Sequence, residues 1–215
     1  MLIDILEFLG AERIDKNSWN IISKNILILT SHSDYDIKHA AVYGIGIMGK
    51  KGGNLYSVYS NHCLNSLNNV FVELSGEKKK KSKVDILDLT ISSLGKIIFH
   101  QFSSIPSTKI INEWIKMLPL KVDKKESREM MEILLSLSNI HEQELLGENY
   151  ENIDNIIKAI SQTVYSGFIT KQVQEEWKNK LLAWTQKADL RIKMESVFQS
   201  LNDLDKSRLK QLMGN

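Results

Sequence analysis

Hydrophobic positions along this chain recur every three or four residues, over stretches of ten to twenty, from near the start to near the end. That spacing is the mark of amphipathic helices. The pattern is plainest across residues 34–74. Ile37, Ala40, Ala41, Gly44, Ile45 and Met48 are assigned to one face of a first helix. Leu55, Tyr59, Cys63, Leu67, Val70, Phe71 and Leu74 are assigned to one face of a second. The two meet at Lys50-Lys51-Gly52-Gly53, whose paired glycines predict a tight turn and an antiparallel hairpin. Gly44 and Gly46 stand inside the first helix, where each costs about 1 kcal/mol relative to Ala. Their place is explained if the backbone there approaches its hairpin partner closely.

The rest of the chain repeats this arrangement. Residues 2–12 form a helix with Leu2, Ile5, Leu6 and Leu9 on one side. Asn17 or Ser18 is expected to cap the next, which carries Trp19, Ile22, Ile26, Leu27 and Leu29. This pair has the look of a repeat truncated at its start, as if cut from a longer chain. Ser33 with Asp36 resembles a capping box, and so does Asp123 with Glu126. Residues 84–102 align with the first helix of the 34–74 pair, Gly95 over Gly46, at an offset of 49 residues. That is slightly above the ~40–47 of common two-helix repeats. Pro106 precedes a helix at 107–118 with Ile110, Ile111, Trp114, Ile115 and Leu118 apolar. Residues 124–140 carry Met130, Met131, Ile133, Leu134, Leu137 and Ile140, and pair with 151–166. Thr170 should cap 171–187, with Val173, Trp177, Leu181 and Trp184 recurring. Helices at 189–201 and 205–213 close the chain. The fold class expected is all-α, a solenoid of antiparallel helical hairpins stacked as a HEAT-type superhelix. It is one stretch over 1–215, with hairpins at 2–31, 34–75, 84–118, 124–167 and 171–201 and a terminal helix at 205–213.

Composition agrees with this picture. Only two prolines and eleven glycines interrupt the helices. Hydrophobic residues are 42% and charged residues 25%, enough for a core and too many apolar groups for wholesale disorder. The net charge of +2 does not call for nucleic acid. No apolar run approaches the ~20 residues of a membrane span, and the first residues lack the basic region and cleavage site of a signal peptide. The run Lys78–Lys83 reads as a solvated connection between hairpins, with a nuclear localisation signal or an anion patch as the alternative.

Chemistry is harder to find. The single cysteine, Cys63, lies on an apolar stripe and reads as a small buried hydrophobe. None of the five histidines has the spacing of a zinc pair. The glycines at 44–53 lack the preceding strand that a phosphate loop needs. No metal, cofactor or catalytic group is expected. The four tryptophans fall on core stripes. One surface feature stands out on the second helix. Asn61, Asn65, Asn68 and Asn69 lie on one side, opposite Leu67, Val70 and Leu74. An amide side chain both donates and accepts, so such a row can hold the backbone of an extended cargo segment. The competing reading is that a chain rich in Asn scatters it over solvent-facing positions, and the residues alone favour that one.

The segment IKHAAVYGIGIMGKKGG, with the long helix after it, resembles a HEAT repeat from the C-terminal part of a β-karyopherin, an importin-β-type nuclear transport receptor. So do Trp114-x-x-x-Leu118-Pro119-Leu120 with Asp123-Lys124-Lys125-Glu126, then Leu146-Gly147-Glu148-Asn149, then the ending Leu204-Asp205-Lys206-Ser207-Arg208-Leu209-Lys210-Gln211-Leu212. The matches run in order from residue 34 to the end, and the branch most similar is importin-five, or karyopherin beta-three. The Lys run and the Asn-rich helix depart from that pattern. The resemblance implies a non-catalytic receptor that shuttles between cytoplasm and nucleus. Its cargo would be ribosomal proteins, histones or other basic proteins, and it would bind FG-repeat nucleoporins. Ran GTPase would engage through N-terminal repeats of the full-length receptor that lie outside this chain. The repeat pattern taken without those motifs fits equally a HEAT scaffold or adaptor subunit of a phosphatase or chromatin complex.

Overall fold

Helix-forming periodicity without strand or hairpin-loop signals should give helices throughout, and a computed structural model of the chain has that form. It describes residues 2–76 and 81–214, and among them there is no strand. In chain order the α-helices are α1 Leu2–Leu9, α2 Lys16–Leu29, α3 Tyr35–Lys51, α4 Gly53–Tyr56, α5 Ser60–Ser75, α6 Lys81–His100 and α7 Lys109–Lys116. They continue as α8 Lys124–Ile140, α9 Glu142–Leu146, α10 Ile153–Thr163, α11 Lys171–Thr185, α12 Ala188–Ser200 and α13 Asp203–Met213. The fold is all-α and of the helical-repeat type. Of the lysine-rich run, residues 77–80 lie outside the described residues. Two compact units are present: Met1–Pro106 with Lys121–Glu126, and Ser107–Leu120 with Ser127–Asn215.

In the first unit α3 is the central helix. Asp34 caps it, its Oδ1 accepting from the backbone N–H groups of Asp36 at 2.8 Å and Ile37 at 3.3 Å. The cap is therefore one residue later than Ser33. Likewise Asp15 caps α2 by accepting from Asn17 and Ser18, both at 3.0 Å. The two residues expected to cap are the donors. A carboxylate at a helix N-terminus gains from the dipole as well as from the hydrogen bonds, which favours Asp over Ser or Asn here. The Ser18 hydroxyl and backbone hold the Asp15 carboxyl below its ordinary range.

The buried stripe of α3 also differs from the one read from apolar positions. Ile37 is 37% exposed and Ala40 is exposed, whereas Lys38 is 3% exposed. The packed face runs Lys38, Ala41, Val42, Ile45, Met48 and Gly49. It is a regular helical row that starts on a charged residue. Lys38 is tolerated there because its Nζ reaches Glu73 of α5 at 2.5 and 2.7 Å while its stem stays in the interior.

The glycines of α3 serve the approach expected of them, though not toward its hairpin partner. A Cβ on Gly46 would stand 3.2 Å from the Cα of Ser93, and one on Gly49 would stand 3.2 Å from the Cα of Ile97 and 2.6 Å from its Cγ1. Both residues belong to α6, the first helix of the next hairpin. Gly44 meets the Ile26 side chain of α2 instead. Across the seam the Ser93 hydroxyl donates to the Val42 carbonyl at 2.9 Å, and the Gln101 side-chain N–H donates to the Gly49 carbonyl at 2.8 Å. Because higher numbers on α3 meet higher numbers on α6, the two helices run parallel. They are equivalent members of successive hairpins.

The turn after α3 is longer than two glycines. Gly53 has φ +46°, a conformation that suits glycine. It is followed by α4 and a 3-10 turn at Ser57–Tyr59 before α5 begins at Ser60. Tyr56 is fully buried and holds this connection against the core.

Both cores are built from the predicted aromatic and aliphatic stripes. Trp19, Trp114, Trp177 and Trp184 have no exposure, and Cys63 has none either. In the second unit Trp177 and Trp184 meet edge to face at 6.4 Å. The ends of several stripes fall outside the core: Ile5, Leu9 and Leu29 are over a third exposed, and Ile140 is 65% exposed. Parallel contacts between equivalent helices recur in the second unit. Arg128 donates to the Phe168 carbonyl at 3.1 Å and Lys180 to the Ser138 carbonyl at 2.5 Å, tying α8 to α11 and to the residues just before it. Thr170 caps α11 as expected, accepting from Val173 at 3.3 Å.

The seam makes a stability prediction. Gly49→Ala gains about 1 kcal/mol of helix propensity but forces Ile97 aside, a crowding that costs about 1–3 kcal/mol. Gly76→Ala has open space around it and an ordinary φ of −81°. Urea unfolding should show a lower midpoint for Gly49→Ala and an unchanged or slightly higher one for Gly76→Ala. Equal midpoints would mean the close approach carries no constraint.

Candidate protein-binding surface

Helix α5 presents two faces. Cys63, Leu67, Val70 and Leu74 are buried. Asn61, Asn65, Asn68 and Asn69 are all exposed. The first three are spaced by four and three residues, so they form a row about 10 Å long at 1.5 Å rise per residue. Val72, 63% exposed, continues the same row one turn beyond Asn68 and Asn69. Apolar type alone had not marked it as a surface residue. The only charged side chain in α5 is Glu73, and Lys38 occupies it. In a chain that is 25% charged, a sixteen-residue helix with one charge presents an unusually neutral face. It offers amide donors and acceptors and one methyl-bearing side chain, the groups that match a peptide backbone.

The strongly polar groups elsewhere are structural joints. Asp88, 1% exposed, accepts from the backbone N–H groups of Lys121, Val122 and Asp123 at 2.8, 2.7 and 3.2 Å. Asp123 in turn accepts from the Glu126 N–H at 2.9 Å, which is the forward half of the expected capping box. The return half is absent because the Glu126 carboxylate is turned inward. There it accepts from the Ser92 hydroxyl and from Lys96 Nζ at 2.6 Å, both on α6. Lys96 and Glu126 are 2% and 5% exposed, and the Lys96 ammonium also lies 5.4 Å from the Tyr43 ring centre. In the second unit Glu142 gathers three donors: Trp184 Nε1 at 2.9 Å, Lys180 Nζ at 2.9 Å and Lys187 Nζ.

Reactive chemistry is scarce. Burial pushes the Cys63 thiol up to about 12, so it holds its proton at neutral pH. Among the described residues no group of three His, Cys, Asp or Glu side chains is placed to hold a metal ion. No described helix is long and apolar enough to cross a membrane.

Glu142 gives a pH dependence with a definite sign. Burial raises its pKa, but hydrogen bonds from Lys187, Lys180 and Trp184 outweigh that and bring it from the ordinary 4.5 down to about 2. A depressed carboxyl stabilises the fold above its unfolded value and loses that contribution as pH falls through the folded value. The stability difference between the native chain and Glu142→Gln should therefore be full above about pH 4.5 and shrink toward pH 2. Denaturant titrations from pH 6 to pH 2 measure it, and a constant difference would contradict this assignment.

The chain matches no family model. Over 171 residues, 77% of its length, it is 23% identical to a probable importin-5 homolog of Dictyostelium discoideum, of which the matched segment is 15%. This distant likeness, with the all-helical fold, supports an importin-like helical-repeat region.

Proposed function

We propose that this chain is a protein-binding region of a nuclear transport receptor of the karyopherin-β type, without catalytic activity of its own. The observation that carries the reading is the likeness to the Dictyostelium protein across three quarters of the chain. The parallel packing of equivalent helices in successive hairpins accords with it. In the finer form of the reading the relative is a member of the importin-five branch. The cargo is a basic protein such as a ribosomal protein or histone. FG-repeat nucleoporins bind the receptor as it shuttles between cytoplasm and nucleus, and Ran GTPase acts on parts of the full-length receptor outside this chain.

The neutral row on α5 is proposed as a cargo contact. It would hold the backbone of an extended segment by amide hydrogen bonds, and basic side chains of the cargo would seek acidic groups elsewhere. Each such bond contributes roughly 1 kcal/mol net. Asn61→Ala with Asn65→Ala should then weaken binding of an extended cargo peptide by roughly tenfold to thirtyfold. Raising salt from 50 to 300 mM should leave the ratio between native and variant unchanged, because no charge is involved. Fluorescence anisotropy with a labelled histone-tail peptide measures both. Equal affinity for native and variant chains would remove the α5 row from the reading. Retention of the chain on an immobilised FG-repeat segment, and not on a Phe→Ser version, separates a transport receptor from a scaffold subunit.

A further inference from the structure

Helices α2 and α5 are the second members of successive hairpins. Both pack on α3, and the Tyr59 hydroxyl just before α5 donates to the Asn20 side chain near the start of α2 at 2.9 Å. An offset of 44 residues lays one helix on the other, within the ~40–47 of common two-helix repeats. The buried rows then coincide: Trp19, Ser23, Ile26 and Thr30 fall on Cys63, Leu67, Val70 and Leu74. The outward rows coincide as well. Asn17, Ile21, Lys24 and Ile28 fall on Asn61, Asn65, Asn68 and Val72, and every one of these is exposed. Helix α5 shows what a preceding second helix covers: with α2 beside it, its outward row stays open. The matching row of α2 has the same position relative to its own buried face, so its exposure does not depend on what precedes it.

The two rows differ in chemistry. On α5 the amides come first and Val72 ends the row. On α2 Ile21 stands where α5 has Asn65, and Asn25 turns its amide back to donate to the Ile21 carbonyl at 2.7 Å. The amide hold on a ligand backbone therefore belongs to α5. The aliphatic groups belong to both helices. Ile21, Ile28 and Val72 are 63%, 71% and 63% exposed. Ile28 and Val72 occupy equivalent positions on packed helices, whose axes lie roughly 8–10 Å apart, and so flank one point of the surface between the rows. Asn17 and Asn61 stand at the opposite end. From residue 61 to 72 the row is about 16 Å long at 1.5 Å rise per residue, the reach of roughly five extended residues.

Single exposed aliphatic residues are ordinary on a protein surface. A pair at one repeat position on neighbouring helices, closing a row of amides, makes a defined place for one apolar side chain. A basic side chain there would meet methyl groups, and one further along would meet Lys24, the only charged residue in either row. Glu73, next to Val72, is held by Lys38. We propose that α2 and α5 together hold an uncharged extended segment of a partner protein, its backbone on the α5 amides and one large aliphatic side chain between Ile28 and Val72. The proposal rests on the reading of the α5 row as a contact for extended chain, and it adds the side chain that the contact selects. Basic residues of a cargo would flank this segment and not occupy it.

The test titrates the full 215-residue chain with labelled peptides of Ser, Thr and Gln that differ only in a central Leu, Ser or Lys. The flanks are long enough for the peptide to lie in either direction. The Leu peptide should bind at least about tenfold more tightly than the Ser and Lys peptides. Ile28→Ser with Val72→Ser should abolish the preference for Leu and leave the affinity for the Ser peptide unchanged. Asn61→Ala with Asn65→Ala should weaken the Leu and Ser peptides by the same factor. All four positions are exposed, so the fold is kept. Equal binding of the Leu and Ser peptides, with the Asn variant still weakening both, would overturn the aliphatic site and leave the α5 contact standing. A preference for Leu that survives Ile28→Ser with Val72→Ser would overturn it too, as would a Lys peptide that binds as tightly as the Leu peptide. No binding at millimolar peptide, or no effect of the Asn pair, would overturn the α5 reading and this proposal with it.

Discussion

The first unit depends on a contact that only glycine permits. At Gly46 and Gly49 the backbone of α3 comes so near α6 that a methyl group would meet the Cα atoms of Ser93 and Ile97. Close approach brings main-chain carbonyls within reach of side chains on α6 and just past its end, which is why Ser93 and Gln101 can donate to Val42 and Gly49. A helix carbonyl already engaged in its own ladder has a second lone pair, so these bonds add to the helix without breaking it. Larger residues at 46 and 49 would part the helices and lose the dispersion and the hydrogen bonds together. The helix propensity given up at two glycines, about 1 kcal/mol each, is small beside that.

Once first-type helices lie parallel and close, polar groups must be satisfied across the joint. The chain does this with single carboxylates that each collect several donors. Asp88 takes three backbone N–H groups of the 121–123 loop. Glu126 takes Ser92 and Lys96, and Glu142 takes Trp184, Lys180 and Lys187. A buried carboxylate with several donors tolerates desolvation that a lone ion pair would not. Each hub joins residues 30 to 45 positions apart. That separation is about one repeat, as expected where each hairpin contacts its neighbour.

The sequence carried the helices and most of the core, since the 3.6-residue period and the four tryptophans are local signals. It also signalled a close approach at the α3 glycines, because two glycines inside a strong helix need a reason, but not that Gly46 and Gly49 face α6 while Gly44 faces Ile26 of α2. What it hid were partners. Lys38 concealed the true stripe of α3, because hydropathy cannot tell a lysine that spans to Glu73 from one in water. Asp123 and Glu126 spelled a capping box, yet Glu126 turns to Lys96, thirty residues earlier, and no short-range rule sees that far. Caps slipped by a residue or more because Asp15 and Asp34 compete with their Ser and Asn neighbours on equal propensity and win on charge. The Asn row was legible as a face of α5. Its neutrality became clear only when Glu73, the one charge on that helix, proved to be taken.

The α5 row has donors, acceptors and a valine, and Glu73, its one carboxylate, is paired with Lys38. It lies in the first unit, which carries the glycine seam. A face of this kind exerts little field beyond contact range. If it serves as the proposed contact, it would discriminate by shape and hydrogen-bond register and not by the sign of the ligand's charge.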